Sequence, residues 1–141
     1  MNTNVENQRD RLRKKIGAFF GKTMIERRTD YCFVKDMLAE SLDKWSLFCI
    51  YNLGYYDMLR FSKLKAKIPG ISSRMLSLTL KKLEVNGLVS RKVFAEVPPR
   101  VEYRLTAFGN QFADQLIEMS QWYITHHPKL TSSETSKNVA L

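Results

Sequence analysis

Cysteine is nearly missing from this chain, with two in 141 residues, Cys32 and Cys49. That number and their wide separation exclude a disulfide framework and a zinc site, and the scarcity fits a reducing compartment. Long apolar runs are missing as well. No stretch approaches the ~20 residues that a membrane span needs. The segment from Ile16 to Phe20 is too short and too closely flanked by glycine to be a signal-peptide core. A cytoplasmic protein that does not engage membranes is therefore expected. Histidine occurs only as His126-His127, where it suits the negative pole of a helix end. With no Cys, Asp or Glu at ligand spacing around that pair, neither metal nor cofactor is expected. The chain also lacks a nucleophile elbow, a phosphate loop and paired acids placed for a cleft, so no enzyme is expected.

Acidic residues are in deficit, 14 against 23 Lys and Arg, for a formal net charge of +9. The excess is concentrated. Arg60 to Arg104 holds 11 basic and 3 acidic residues, and the first 31 residues hold 8 and 4. Cys32 to Leu59 holds 2 and 4, and the part after Leu105 holds 2 and 3. A focused positive block suits a polyanion, because each neutralised phosphate releases counterions. The plainer alternative is a basic, solvated face without a partner.

The chain divides into a basic, partly helical arm over 1–31, one domain over 32–127, and a Ser/Thr-rich tail over 128–141 expected to be disordered. In the arm, Leu12, Ile16, Phe19, Phe20 and Met24 form a helical seam, with the helix expected from Asp10 to Phe20. A helix is expected over Phe33–Leu42. Asp43 then caps a second to about Leu53, with Gly54 placed to end it. Ser62 is read as the cap of a short helix over Lys63–Lys67. Pro69-Gly70 makes a turn, and Ser72 or Ser73 caps a helix ending at Gly87. Two helices joined by a glycine-containing turn make a helix-turn-helix. Strands are expected over Leu88–Phe94 and Val101–Leu105 around a Pro98-Pro99 loop. Thr106 caps a last helix to about Thr125, with Phe108, Phe112, Leu116, Met119 and Tyr123 in one stripe.

On a wheel at about 100° per residue, Leu76, Leu80 and Leu83 form the buried stripe of the 72–87 helix. Arg74, Ser77, Leu78, Lys81, Lys82 and Val85 lie opposite. Arg, Ser and Lys are types that bond base edges and phosphates, and a helix start at Ser72-Ser73 favours a phosphate. Leu78 has two readings, contact with a thymine methyl or a single exposed leucine of no consequence. The hairpin behind this helix carries Arg91, Lys92 and Arg100, suited to the adjacent backbone or minor groove, or simply to solubility.

The run Cys32 … Lys44-Trp45 … Arg60-Phe61-Ser62-Lys63-Leu64 … Pro69-Gly70-Ile71-Ser72 … Gly87-Leu88-Val89 … Pro98-Pro99-Arg100-Val101-Glu102-Tyr103-Arg104-Leu105-Thr106 … Gly109 … Trp122 resembles the HxlR-type winged helix-turn-helix regulators, relatives of the MarR group. The resemblance covers about residues 32–122. It implies an α+β, mostly α fold: a winged helix-turn-helix with added N- and C-terminal dimerisation helices. It also implies a homodimeric transcription regulator on a pseudo-palindromic double-stranded DNA operator. The recognition helix would be 72–87 and the wing 91–101, so the DNA-binding residues would be Ser72, Ser73, Arg74, Ser77, Leu78, Lys81, Lys82, Arg91, Lys92 and Arg100. Three features depart from the pattern: Phe33 where relatives carry Pro, Lys63 where they carry Glu, and the long basic arm. The arm is expected to wrap a partner subunit.

Several family members sense electrophiles or oxidants through the cysteine that matches Cys32, which chemically requires an accessible thiolate. Arg27, Arg28 and Lys35 near it favour a thiolate, whereas Asp30 and Asp36 oppose it. A sensor and an ordinary thiol are both open readings. A third is a small-molecule effector held in a dimer cavity lined by Trp45, Tyr51 and Trp122. Cys49, inside an apolar helix, reads as core filler. The rival to the regulator is a winged-helix protein-interaction module without specific DNA binding.

Overall fold

The computed structural model describes residues 3–26, 36 and 38–130, in two compact units divided after Leu42. The first unit is dominated by α1 (Thr3–Glu26), which runs well beyond the expected Asp10–Phe20 at both ends. Gly17 does not break it, and Asp10 pairs with Arg13 one turn on at 3.7 Å. The seam residues Leu12, Ile16 and Phe19 stay about half exposed. Phe20 and Met24 lie outside the described side chains. Of the helix expected over 33–42, residues 36 and 38–41 are described and helical, and Leu38 and Leu42 are exposed rather than buried. The tail expected to be disordered lies outside the described residues from 131 onward.

The second unit begins at Asp43, whose carboxylate caps α2 (Lys44–Tyr56) by accepting from the Ser46 amide at 3.0 Å. Helix α2 continues through Gly54, contrary to the expected stop. A Cβ at Gly54 would only touch Leu105 at an ordinary 3.5 Å, so nothing forces an end there. The helix stops at Asp57, which takes φ +66°, and the chain turns into a two-residue strand, β1 (Leu59–Arg60). Helix α3 (Phe61–Lys67) follows directly. Its N-cap position is Arg60, without a side-chain cap, rather than the expected Ser62. The entering strand fixes the first turn in place of a capping hydroxyl.

Gly70 at φ +80° makes the turn into α4 (Ser73–Val85), where Ser72 Oγ accepts from the Met75 amide at 3.0 Å. Leu76, Leu80 and Leu83 are buried as the wheel predicts. Gly87 at φ +77° leads into β2 (Val89–Phe94), which pairs antiparallel with β3 (Arg100–Leu105) from Val89↔Leu105 to Phe94↔Arg100. Strand β1 adds to the other edge of β3, giving the order β1-β3-β2. The last helix, α5 (Ala107–His126), is capped by Thr106 Oγ1, which accepts from the Gly109 amide at 2.9 Å.

One apolar core joins α2, α3, α4, the sheet and α5 through residues such as Ile50, Leu53, Leu64, Leu80 and Leu116. Burying side chains of this size stabilises the unit by roughly 1.5–3 kcal/mol each before entropy is counted. The result is a helix-turn-helix with a two-stranded wing, mounted on α2 and α5.

Candidate nucleic-acid interface

Helix α4 presents two chemically distinct faces. Its leucines hold it against α2 and the sheet, so the opposite face is aimed outward without freedom to roll. On that face Arg74, Ser77, Leu78 and Lys81 are all exposed, and Ser72 and Ser73 are exposed at the helix start. Arg74 makes no ion pair among the described residues. Ser72 spends an oxygen lone pair on its cap, which leaves the hydroxyl proton available to a ligand.

Beside this face the start of β2 brings in Arg91. Ser77, Lys81, Glu84, Arg91 and Tyr103 together line a recess of about 230 Å³ between helix and wing. Lys81 and Arg91 come from elements that the wheel and the strand pattern treat separately, and the fold converges them. Glu84 was missed by sequence reasoning. Its signal was on the same wheel, about two turns beyond Ser77 on the same side.

Lys82 departs from expectation. The wheel puts it on the outward face, but its ammonium is bound to the Asp43 carboxylate and only about a third of the side chain is exposed. Burial by itself raises the Asp43 carboxyl, yet the Lys82 and Ser46 hydrogen bonds outweigh it and hold the group below its ordinary value. Lys82 thus ties α4 to the N-terminus of α2.

Arg100 is engaged in a similar way. Its guanidinium lies 4.0 Å from the centre of the Phe94 ring, 3.2 Å from Glu96 and 3.4 Å from Glu102. With two carboxylates beside it and a quarter of its side chain exposed, it stiffens the base of the wing. Lys92 is exposed and sits over the same ring at 4.9 Å. Phe94 is therefore the platform of the wing, a role that its position at a strand end did not signal. Glu102 is nearly buried on the central strand, opposite Arg60 in β1 and Lys92 in β2.

Cys32 lies outside the described residues. Cys49 is fully buried, and burial pushes its thiol up to about 12, so it is an inert core residue as its sequence position suggested. Of the aromatics read as lining an effector cavity, Trp45 and Tyr51 pack on the core. Trp122 is exposed and stacked on His126. Among the described residues no three His, Cys, Asp or Glu side chains gather as metal ligands, and no helix is long and apolar enough to cross a membrane.

The HxlR-like helix-turn-helix family matches residues 41–130. An uncharacterized HTH-type transcriptional regulator from Methanothermobacter thermautotrophicus is 41% identical over 98 residues, covering 67% of this chain and 74% of the relative. Among solved structures, a transcriptional regulator of the MarR family from Enterococcus faecalis superposes with a TM-score of 0.61 at 34% identity, over 67% of this chain and 86% of its own. The redox regulator HypR in its reduced form gives a TM-score of 0.61 at 34% identity, over 69% of this chain and 95% of its own.

Proposed function

This chain belongs to the HxlR-like helix-turn-helix family of transcriptional regulators, and from that premise we propose that it is a non-enzymatic, sequence-specific regulator that binds double-stranded DNA as a homodimer. The observation that carries the reading is the outward face of α4. Arg74, Ser77 and Lys81 are exposed there, and Arg91 from the wing enters the same recess. Two such helices in one dimer enter successive major grooves about 34 Å apart. Arg91 and Lys92 meet the flanking backbone or minor groove, which sets register without reading sequence. Lys82 and Arg100 support these elements from behind through their carboxylate partners. The protein works in the cytoplasm, without a membrane partner.

Homodimerisation is supported by the surface of α5. Phe108, Met119, Trp122 and Tyr123 are each half exposed or more, an apolar content that a lone subunit has little reason to show to water. The basic arm adds the half-exposed Leu12–Phe19 seam, which suits a wrap around the partner subunit. Control is proposed to act at Cys32, with the redox regulator HypR as the structural precedent. A Cys32→Ser protein that still releases DNA on treatment with a quinone or diamide would remove that assignment and favour a small-molecule effector instead.

The regulator reading is tested by titrating the protein against its own upstream region across salt, with excess random competitor. Selective binding with a steep salt slope is expected, and charge reversal in Arg74→Glu/Lys81→Glu abolishes it while the thermal midpoint is kept. Salt-independent binding would identify the rival, a protein-interaction module, because phosphate contacts must weaken as salt rises.

A further inference from the structure

The outward face of α4 is cationic and polar except at its centre. Leu76, Leu80 and Leu83, each 1% exposed or less, define the buried direction. At about 100° per residue the opposite direction falls on Arg74, Leu78 and Lys81. Leu78 is 56% exposed, with Arg74 one turn before it and Lys81 one turn after. It is not among the residues packed on the core, so the fold does not require it. Two other apolar side chains of α4 are uncovered. Met75 is rotated about 60° or more from this direction, and Val85 lies in the last turn. Recognition helices meet base edges with their N-terminal half, and Leu78 is the apolar residue on that part of the reading face.

We infer that Leu78 is a specificity-determining residue that reads one thymine in each half-site through the thymine C5-methyl group. The inference rests on the DNA-binding reading of α4 proposed above. In the major groove the thymine methyl is the one apolar group that projects beyond the hydrogen-bond donors and acceptors, so it is the group that an aliphatic side chain covers to most advantage. Flanking cations keep the face on DNA and leave a protein partner poorly matched to it. Arg74 and Leu78 are one helical turn apart, about 5.4 Å, against a base-pair rise of about 3.4 Å. The thymine therefore lies within about two base pairs of the base that Arg74 contacts. Arginine most often takes guanine O6 and N7, so each half-site carries a G and a T close together.

The test begins with selection of duplexes from a random pool by the full-length protein. Each thymine of the selected duplex is then changed singly to deoxyuridine, which removes the methyl and nothing else. Wild-type affinity is expected to fall about fourfold at one thymine per half-site, the worth of one buried methyl-sized group. Leu78→Ala, which keeps the wild-type thermal midpoint because the site is exposed, is expected to bind the thymine and uracil duplexes equally. Indifference of the wild type to every uracil, or an undiminished uracil penalty in Leu78→Ala, overturns the inference while the regulator stands. Failure to enrich any duplex overturns both readings together.

Discussion

Two side chains of opposite charge set the geometry of α4. Asp43 receives the Ser46 amide, the Ser46 hydroxyl and the Lys82 ammonium at once, so one carboxylate caps α2 and anchors α4. Asp43→Ala loses cap and ion pair and is expected to cost about 1–2 kcal/mol at pH 7. Asp43→Asn keeps a capping oxygen and loses only the charge, so chemical denaturation should place it between wild type and Ala. The carboxyl is held below its ordinary 3.8, so its charge stabilises the fold above that pH. The contribution disappears as the pH falls from about 4 through the depressed native value, and the gap between wild type and Asp43→Asn should close there. Cys49 gives the opposite sign. A thiol pushed up to about 12 stays protonated and unreactive at pH 8. Iodoacetamide with peptide mapping should leave Cys49 unmodified in the folded protein and label it fully in denaturant. The sequence wheel could sort α4 into a buried and an outward side. It could not foresee that Lys82, at the edge of the outward side, is claimed by an aspartate 39 residues earlier.

At the scale of elements, the junction between wing and α5 leaves little room at Gly109. The Thr106 amide donates to the Leu88 carbonyl at 3.0 Å, and its hydroxyl donates to the Gly87 carbonyl at 2.5 Å. The end of β3 is thus stitched to the end of α4. Gly109 passes directly over this stitch. A Cβ there would come within 2.0 Å of the Leu88 carbonyl oxygen and 3.3 Å of the Leu105 side chain. Backbone cannot move aside as a flexible side chain can. Gly109→Ala should therefore destabilise by at least the 1–3 kcal/mol or so of an overpacked core, read as a fall in thermal midpoint. An unchanged midpoint would mean that the first turn of α5 can slide. Helices with capping residues and a clear apolar stripe, α4 and α5, were legible in the sequence, as was the hairpin around Pro98-Pro99. Strand β1 was not, because two residues show no period and its pairing comes from β3, more than forty positions on. Gly54 misled for a related reason. Glycine marks a helix end only where the chain turns, and α2 turns at Asp57, which pairs with Arg104, 47 residues on.

The whole molecule combines a cationic face on α4 with an apolar surface on α5, and the proposed homodimer would tie the two. Helix α5 carries Asp114 and Glu118 and no Lys or Arg, so its surface is unsuited to DNA. Its exposed Met119, Trp122 and Tyr123 are suited to an apolar partner. If that partner is a second chain, DNA affinity depends on α5 although no residue of α5 touches DNA. Binding of the second half-site is then an intramolecular event, worth a factor of about 10² to 10⁴. Met119→Glu/Trp122→Glu should shift the protein to monomer in sedimentation, since two charges would be buried unpaired across the dyad. It should also weaken operator binding by that factor and about halve the salt slope, because half of the phosphate contacts leave together. Lys81→Ala should lower the slope by only about one for each phosphate it no longer neutralises, with the dimer intact. A Met119→Glu/Trp122→Glu protein that sediments as a dimer would move the interface away from α5, toward the seam on α1.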